Sequence, residues 1–417
     1  MNKILFYTLL ILINIIFISC SDNWEPGKFP STSFADESSM QRTFDEALQI
    51  AQDAINELEK NTTTRSTFNS RKICIDSTQI VCNNHLTRSE HNINIDTLMF
   101  IFNFEDSLGF AVVSGNKATP GLISIAEYGH YNPSEKQKNK SFSMMMERAK
   151  IYVMTRFGGR PPIMNDSTLL PFYIFNPKIP VRWGQEAYYG MEYNNGLAGC
   201  GPVAIAQTLA YFEAPDTLPL TYIGYSNHPD TLYLNWTEIK KHKIYHDVSI
   251  IDSTKCTAIN PTQVHNDISY LMRQIGELTE KNDSNFNYTL IKTEKIPYCL
   301  NIMGLQCTSF YAYFSGCTIN PLINDHIILV TGKAEGAGYG HAFLVDSYLQ
   351  RYSRPANTPT IITTTYNHVN WGWDGINDGY YLDELFDLGN PYQLDGYGTT
   401  NETTVYSEDL NYIEIWK

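Results

Sequence analysis

Glycine and proline crowd one stretch of this chain: Gly158-Gly159-Arg160-Pro161-Pro162, then Pro171, Pro177 and Pro180. A helix or a central strand does not survive that density, because proline removes a backbone donor and glycine removes restraint. The chain is therefore expected to break there into two folding units joined by an exposed linker, residues 156–180, of the kind proteases cut. At 417 residues it is also too long for one ordinary domain. The resulting division is a leader at 1–20, a small unit at 21–155, the linker, and a larger unit at 181–417.

The leader has a basic Lys3 and a nearly unbroken apolar run from Ile4 to Ile18, interrupted by Thr8 and Asn14. The run is short for a membrane span and reads as a signal h-region. It ends in Phe17-Ile18-Ser19-Cys20, which resembles a bacterial lipobox, with Cys20 as the acylated residue. The chain is thus expected to be exported and held at the outer membrane or cell surface by an N-terminal lipid only. Residues 21–40 are polar and suit a tether. A net charge of -14 argues against nucleic acid or an anionic membrane surface as a partner.

Within the small unit, Thr43 and Glu46 have the spacing of a capping box. Phe44, Leu48, Ala51, Ile55 and Leu58 continue at helical spacing to about Lys60. Residues 61–72 read as loop. Apolar runs at 97–104 and 109–114 flank Glu105-Asp106-Ser107-Leu108 as a hairpin. A short strand is expected near 122–125 and a helix over 142–152, giving a small α+β unit.

The larger unit carries the reactive side chains. Gly199-Cys200-Gly201-Pro202 opens a run to Phe212 that is almost wholly apolar, so a buried helix is expected with proline in its first turn. A cysteine at a helix N-terminus feels free N–H groups and the helix dipole, which favour the thiolate, the form that attacks carbonyls. Burial as an inert core residue is the commoner fate of a free cysteine. The flanking glycines argue otherwise, since they admit another backbone close by.

Among ten histidines, His341 stands in Gly340-His341-Ala342-Phe343-Leu344-Val345-Asp346. As a strand this places His341, Phe343 and Val345 on one face and Ala342, Leu344 and Asp346 on the other. His326, which also opens an apolar strand, competes for the role of base. Asn370, in Asn370-Trp371-Gly372-Trp373-Asp374-Gly375, could accept from the imidazole, with Trp371 shielding that bond. Gln185, in Trp183-Gly184-Gln185, could add a donor beside the Cys200 N–H to stabilise an oxyanion.

Together these segments resemble the streptopain family of bacterial papain-like cysteine proteases. Ala198 to Gln207 resembles its nucleophile pattern and Gly340 to Tyr348 its histidine pattern. His368 to Tyr380 resembles its H-V-N-W-G-W-G-G-x-x-D-G-Y pattern most closely, and Gly109 to Asn116 is similar to a hairpin of its propeptide. His341 follows Cys200 by 141 positions, within the roughly 130–150 of papain-type enzymes.

The resemblance implies an α+β fold: a helical subdomain carrying Cys200 faces an antiparallel sheet or half-barrel carrying His341 and Asn370, preceded by an inhibitory α+β propeptide. It implies Cys200 as nucleophile, His341 as base, Asn370 as orienter, Trp371 as shield and Gln185 as oxyanion donor. It also implies a zymogen cut in or near the linker, protein or peptide substrates, the propeptide as intramolecular inhibitor, and no cofactor or metal. Gly201-Pro202 and Ala198 depart from the pattern, as do Ser347 and Asp374, which stand where it has glycine. Gly-Cys-Gly-Pro also resembles bacteriocin-processing peptidases, another papain-like group. Action on one dedicated substrate by transfer, deamidation or processing is thus a second reading. A non-catalytic surface lipoprotein with a protease-inhibitor domain is a third.

Eight cysteines less Cys20 and Cys200 leave Cys74, Cys82, Cys256, Cys299, Cys307 and Cys317. An oxidising exterior would allow them three disulfides, with no connectivity readable from sequence.

Overall fold

Thr43 and Glu46 form the expected reciprocal cap. The Glu46 N–H donates to Thr43 Oγ1 at 3.2 Å and the Thr43 N–H to Glu46 Oε2 at 2.8 Å. They start α1 (Phe44–Asn61), which buries Ala47, Ala51, Ala54, Ile55 and Leu58. The computed structural model describes residues 40–61, 71–82, 97–133, 140–155, 168–169, 173–221, 229–242, 262–280, 291–333, 340–354, 359, 361–387 and 408–417. The expected leader, Cys20, Cys256 and most of the expected linker lie outside the described residues.

The N-terminal unit continues with β1 (Gln79–Cys82), β2 (Thr97–Asn103), β3 (Phe110–Ser114), β4 (Leu122–Ala126) and helix α2 (Lys140–Thr155). The hairpin and both helices fall where the periodicity put them. Two short strands follow, β5 (Thr168–Leu169) and β6 (Tyr173–Ile174). The linker reading needs correcting over 173–180. Here β6 pairs with Leu349 and Gln350, and Phe175 stacks on Tyr348 with ring centroids 5.5 Å apart. The prolines are accommodated because this stretch joins the sheet only at its margin.

The C-terminal unit opens with helix α3 (Cys200–Phe212) and a small hairpin, β7 (Thr217–Pro219) with β8 (Thr231–Tyr233). Helices α4 (Trp236–Ile239), α5 (Gln263–Leu278) and α6 (Ile296–Ile302) complete the helical layer. Next come β9 (Gln306–Cys307), β10 (Tyr311–Ala312), α7 (Ile319–Ile323), β11 (Ile327–Lys333), β12 (Gly340–Arg354), β13 (Ile362–Asn370), β14 (Gly379–Leu382) and β15 (Glu408–Trp416).

One antiparallel sheet runs through both units in the order β1-β2-β3-β4-β14-β13-β12-β11-β15-β10. The joint is β4 against β14, with Ile125 opposite Tyr380 and Ala126 opposite Gly379. Glycine is required at 379, since a Cβ there would lie 2.2 Å from the Ile125 carbonyl oxygen.

Alternation along β12 divides the core. Phe343 and Val345 pack with α1, α2 and the N-terminal strands, whereas Ala342 and Leu344 pack with α3 and α5. The sheet is thus covered by the N-terminal unit on one face and by the helical layer on the other. This is the expected α+β architecture with helices facing an antiparallel sheet.

Cys74, Cys82, Cys200, Cys299, Cys307 and Cys317 are free thiols, so no disulfide forms among the described residues. Cys299 and Cys317 are buried in different halves of the core and pack as small apolar groups.

Candidate active site

Gly199 sets the position of the thiol. It adopts φ +83°, a left-handed value that glycine tolerates, and turns the chain into α3. Cys200 is therefore the first residue of a helix whose next ten residues are all buried. It is only half-buried itself, at the mouth of the helix dipole. Its Sγ accepts a hydrogen bond from the Ala342 N–H at 3.4 Å. Sequence positions 200 and 341–342 are thus brought together by the packing of α3 on β12.

His341, one residue before Ala342, faces the opposite side of the sheet. Its ring lies beside the Phe343–Trp371 pair, with centroids 6.1 and 6.3 Å away. A small cavity of about 10 Å³ adjoins it, lined by Met145, Arg148, Gly332, Phe343, Trp371 and Leu410. The imidazole Nε2 is buried and has no hydrogen-bond partner among the described residues. Burial pushes the ring's pKa down to about 3, opposed in part by a contact with the Trp371 backbone. The imidazole is therefore neutral here and turned away from the sulfur.

The amide of Asn370 is engaged elsewhere. Asn370 opposes Leu344 across β12 and β13, which puts it on the helical face, away from the His341 ring. Its Oδ1 accepts from Gln207 Nε2 at 3.1 Å and from the Gly372 N–H at 3.0 Å. Its Nδ2 donates to Gln207 Oε1 at 3.0 Å. The expected Asn370–His341 hydrogen bond is consequently replaced by an amide pair with Gln207. Gln207 Oε1 also accepts from the Trp183 N–H at 2.9 Å, so one side chain ties together α3, the Trp183 segment and the end of β13. Sequence reasoning gave Gln207 no role. The available signal was a carboxamide inside an apolar helix, which burial tolerates only with partners.

Gln185 is buried, and its Nε2 donates to the Gly372 carbonyl at 3.4 Å. Its own carbonyl accepts from the Ala198 N–H at 2.8 Å, fixing it two residues before Cys200. Trp371 is buried against His341 and Phe343. Its N–H donates to Asp378 Oδ1 at 2.8 Å and its indole to the Asn377 carbonyl at 3.1 Å. His326 is held away from this site, stacked on Trp416 and 3.1 Å from Glu414.

Helix α2 of the N-terminal unit closes the His341 side. Met145 and Arg148 wall the cavity, the Arg148 guanidinium donates to the Leu385 carbonyl, and Tyr152 Oη donates to Glu384 at 2.7 Å. None of these three residues was legible as part of the site, because nothing local links 145–152 to 341.

Comparison with known proteins finds relatives of both units of the chain. Residues 175–381 match the Peptidase C10 family and residues 38–153 the Spi protease inhibitor family. Streptopain of Streptococcus pyogenes is 23% identical over 319 residues, covering 69% of this chain and 74% of that protein. Streptopain of serotype M1 matches at the same identity and coverage. In overall fold the chain is similar to a prointerpain A fragment from Prevotella intermedia (17% identity, TM-score 0.50). That match covers 82% of this chain and 98% of the other. The fold and the two family matches are those of a cysteine-type peptidase carrying its own inhibitor domain, a zymogen arrangement. The chain belongs to the Peptidase C10 family, the streptopain family.

Proposed function

We propose that the protein is an exported endopeptidase in which Cys200 is the nucleophile and His341 the base. The observation that carries this reading is the position of the Cys200 sulfur. It lies at the start of a buried helix, on the backbone of the residue next to His341, in a chain that also carries an inhibitor domain. In the working enzyme the imidazole turns toward the sulfur and takes its proton. The thiolate attacks the peptide carbonyl carbon, and the carbonyl π electrons move to oxygen. The Cys200 N–H and the Gln185 carboxamide receive that oxyanion. Collapse breaks the C–N bond as the imidazolium protonates the leaving amine, and water then hydrolyses the thioester.

Gln185 leaves the Gly372 carbonyl to reach the oxyanion, and Trp371 shields the imidazole. Asn370 acts through Gln207 by holding the β13 turn. In the resting chain the N-terminal unit keeps His341 neutral and displaced, so the reaction waits for its removal.

Export and acylation at Cys20 are part of the same proposal, resting on the leader's sequence; release from the membrane would follow propeptide cleavage. Casein degradation abolished by a thiol-alkylating reagent and by Cys200→Ala is the expected result. A folded Cys200→Ala protein that still degrades casein contradicts the mechanism. Labelling by an alkyne-tagged fatty acid that persists in Cys20→Ser contradicts the lipid site.

A further inference from the structure

The joint between β4 and β14 ends in a buried cluster of charges to which each unit contributes. Glu127 directly follows β4. Its N–H donates to the Asp378 carbonyl at 2.7 Å, and its own carbonyl accepts from Arg71 at 3.5 Å. Its carboxylate pairs with the Arg182 guanidinium and lies 3.7 Å from His368 Nε2. On the far side of that imidazole, His368 Nδ1 meets Asp346 Oδ1 at 2.6 Å, while Asp346 Oδ2 accepts from the Ile179 N–H at 2.9 Å. Asp378 and Tyr380 complete the charged and titratable surroundings, with Arg71 on the N-terminal side.

We propose that Arg182 and His368 form a carboxylate socket in the peptidase unit, and that Glu127 is the anchor by which the inhibitor domain is recognised. Arg182, His368, Asp346 and Asp378 all belong to the peptidase unit, and among the described residues Glu127 brings the carboxylate that closes the cluster from the other side. The His368 side chain is 3% exposed and its Nε2 has no hydrogen bond among the described residues, so the 3.7 Å carboxylate is what it faces. A buried cation left without its counter-charge is costly, which makes an uncharged strand a poor substitute at this position. Strand pairing at β4–β14 supplies register, and the carboxylate supplies selectivity.

The charge states agree with this geometry. Burial alone would lower the His368 pKa, but Asp346 and Glu127 outweigh it and lift it to about 10. Burial would likewise raise that of Glu127, but Arg182 and His368 hold it well below the usual carboxylate range. The socket is therefore charged on both sides at neutral pH.

This inference rests on the zymogen reading, and its test is independent of catalysis. Full-length Cys200→Ala protein is compared with Cys200→Ala/Glu127→Gln by amide hydrogen exchange at neutral pH. Cys200→Ala/Glu46→Gln serves as control, because it removes the Glu46–Lys117 pair on the outer surface of the N-terminal unit. Glu127→Gln is expected to speed exchange of 122–126 and 379–382 by at least about tenfold, while 97–103 and 327–333 stay within twofold. If Glu127→Gln fails to fold, Arg182→Lys, which keeps the charge and loses the planar fork, is expected to give the same local pattern. Exchange at the joint unchanged in these variants, or equally accelerated by Glu46→Gln, overturns the proposal. Failure of the peptidase reading would show in the wild-type casein assay and leave this exchange pattern untouched.

Discussion

The Ala342 N–H donates to Cys200 Sγ across 3.4 Å, yet His341, the neighbouring residue on the same strand, turns its ring to the other face of the sheet. Strand alternation accounts for this. The residue that touches the sulfur belongs to the helical face, and the one before it belongs to the face covered by the N-terminal unit. The resting structure thus brings the two reactive residues together in space but leaves their side chains on opposite faces of the sheet.

A pH dependence follows from the burial of His341. Its pKa in the folded chain is about 3, below the roughly 6.5 of a free imidazole. Between those values the unfolded ring takes up a proton that the buried ring does not. The stability contribution is therefore complete above about pH 6.5 and is lost as pH falls, by at most about 2 kcal/mol at pH 5. Thermal midpoints of full-length Cys200→Ala from pH 7.5 to 5 measure this. Adding His341→Phe should flatten the slope, and identical slopes would contradict the assignment.

Gln207 should matter as much as Asn370. Gln207→Leu strips partners from both Asn370 amide atoms and from the Trp183 N–H, all in a buried setting. A loss of about 1–3 kcal/mol is expected, from the Trp183 N–H left unpaired and the Asn370 amide left with fewer partners. The double variant Gln207→Leu/Asn370→Ala should cost clearly less than the sum of the single ones, because they share one interaction. Denaturant titration of the three proteins checks it, and simple additivity would refute the amide pair.

Helix α2 should set the lag before activity. Met145 is buried and lines the His341 cavity beside Arg148. Met145→Ala removes about 2–5 kcal/mol of packing where α2 covers the His341 cavity. Casein assays started from unprocessed protein should show a shorter lag for Met145→Ala and for Arg148→Ala, with the same final rate as wild type. An unchanged lag in both variants would mean that α2 does not restrain the site.

Much of this was written locally in the chain. The Thr43–Glu46 cap, the helix from 44, the hairpin around 105–108 and the apolar helix after Cys200 are short-range patterns, and each forms near its expected bounds. The joint of β4 with β14 was not legible, because two strands some 250 residues apart carry no mutual signal beyond apolar character and a glycine at 379. The same limit hid Met145, Arg148 and Glu127. It also explains Asn370: the order Cys, His, Asn was readable. The face on which each side chain lies depends on register, and register put Asn370 with Gln207.

The most direct test is the fate of the unprocessed chain on standing. Full-length wild type and full-length Cys200→Ala are incubated under reducing conditions, and their products are read by N-terminal sequencing. Wild type should release its N-terminal unit by a cut in or near residues 156–180 while Cys200→Ala stays whole. Equal processing of both proteins, with casein still degraded by the variant, would contradict the account.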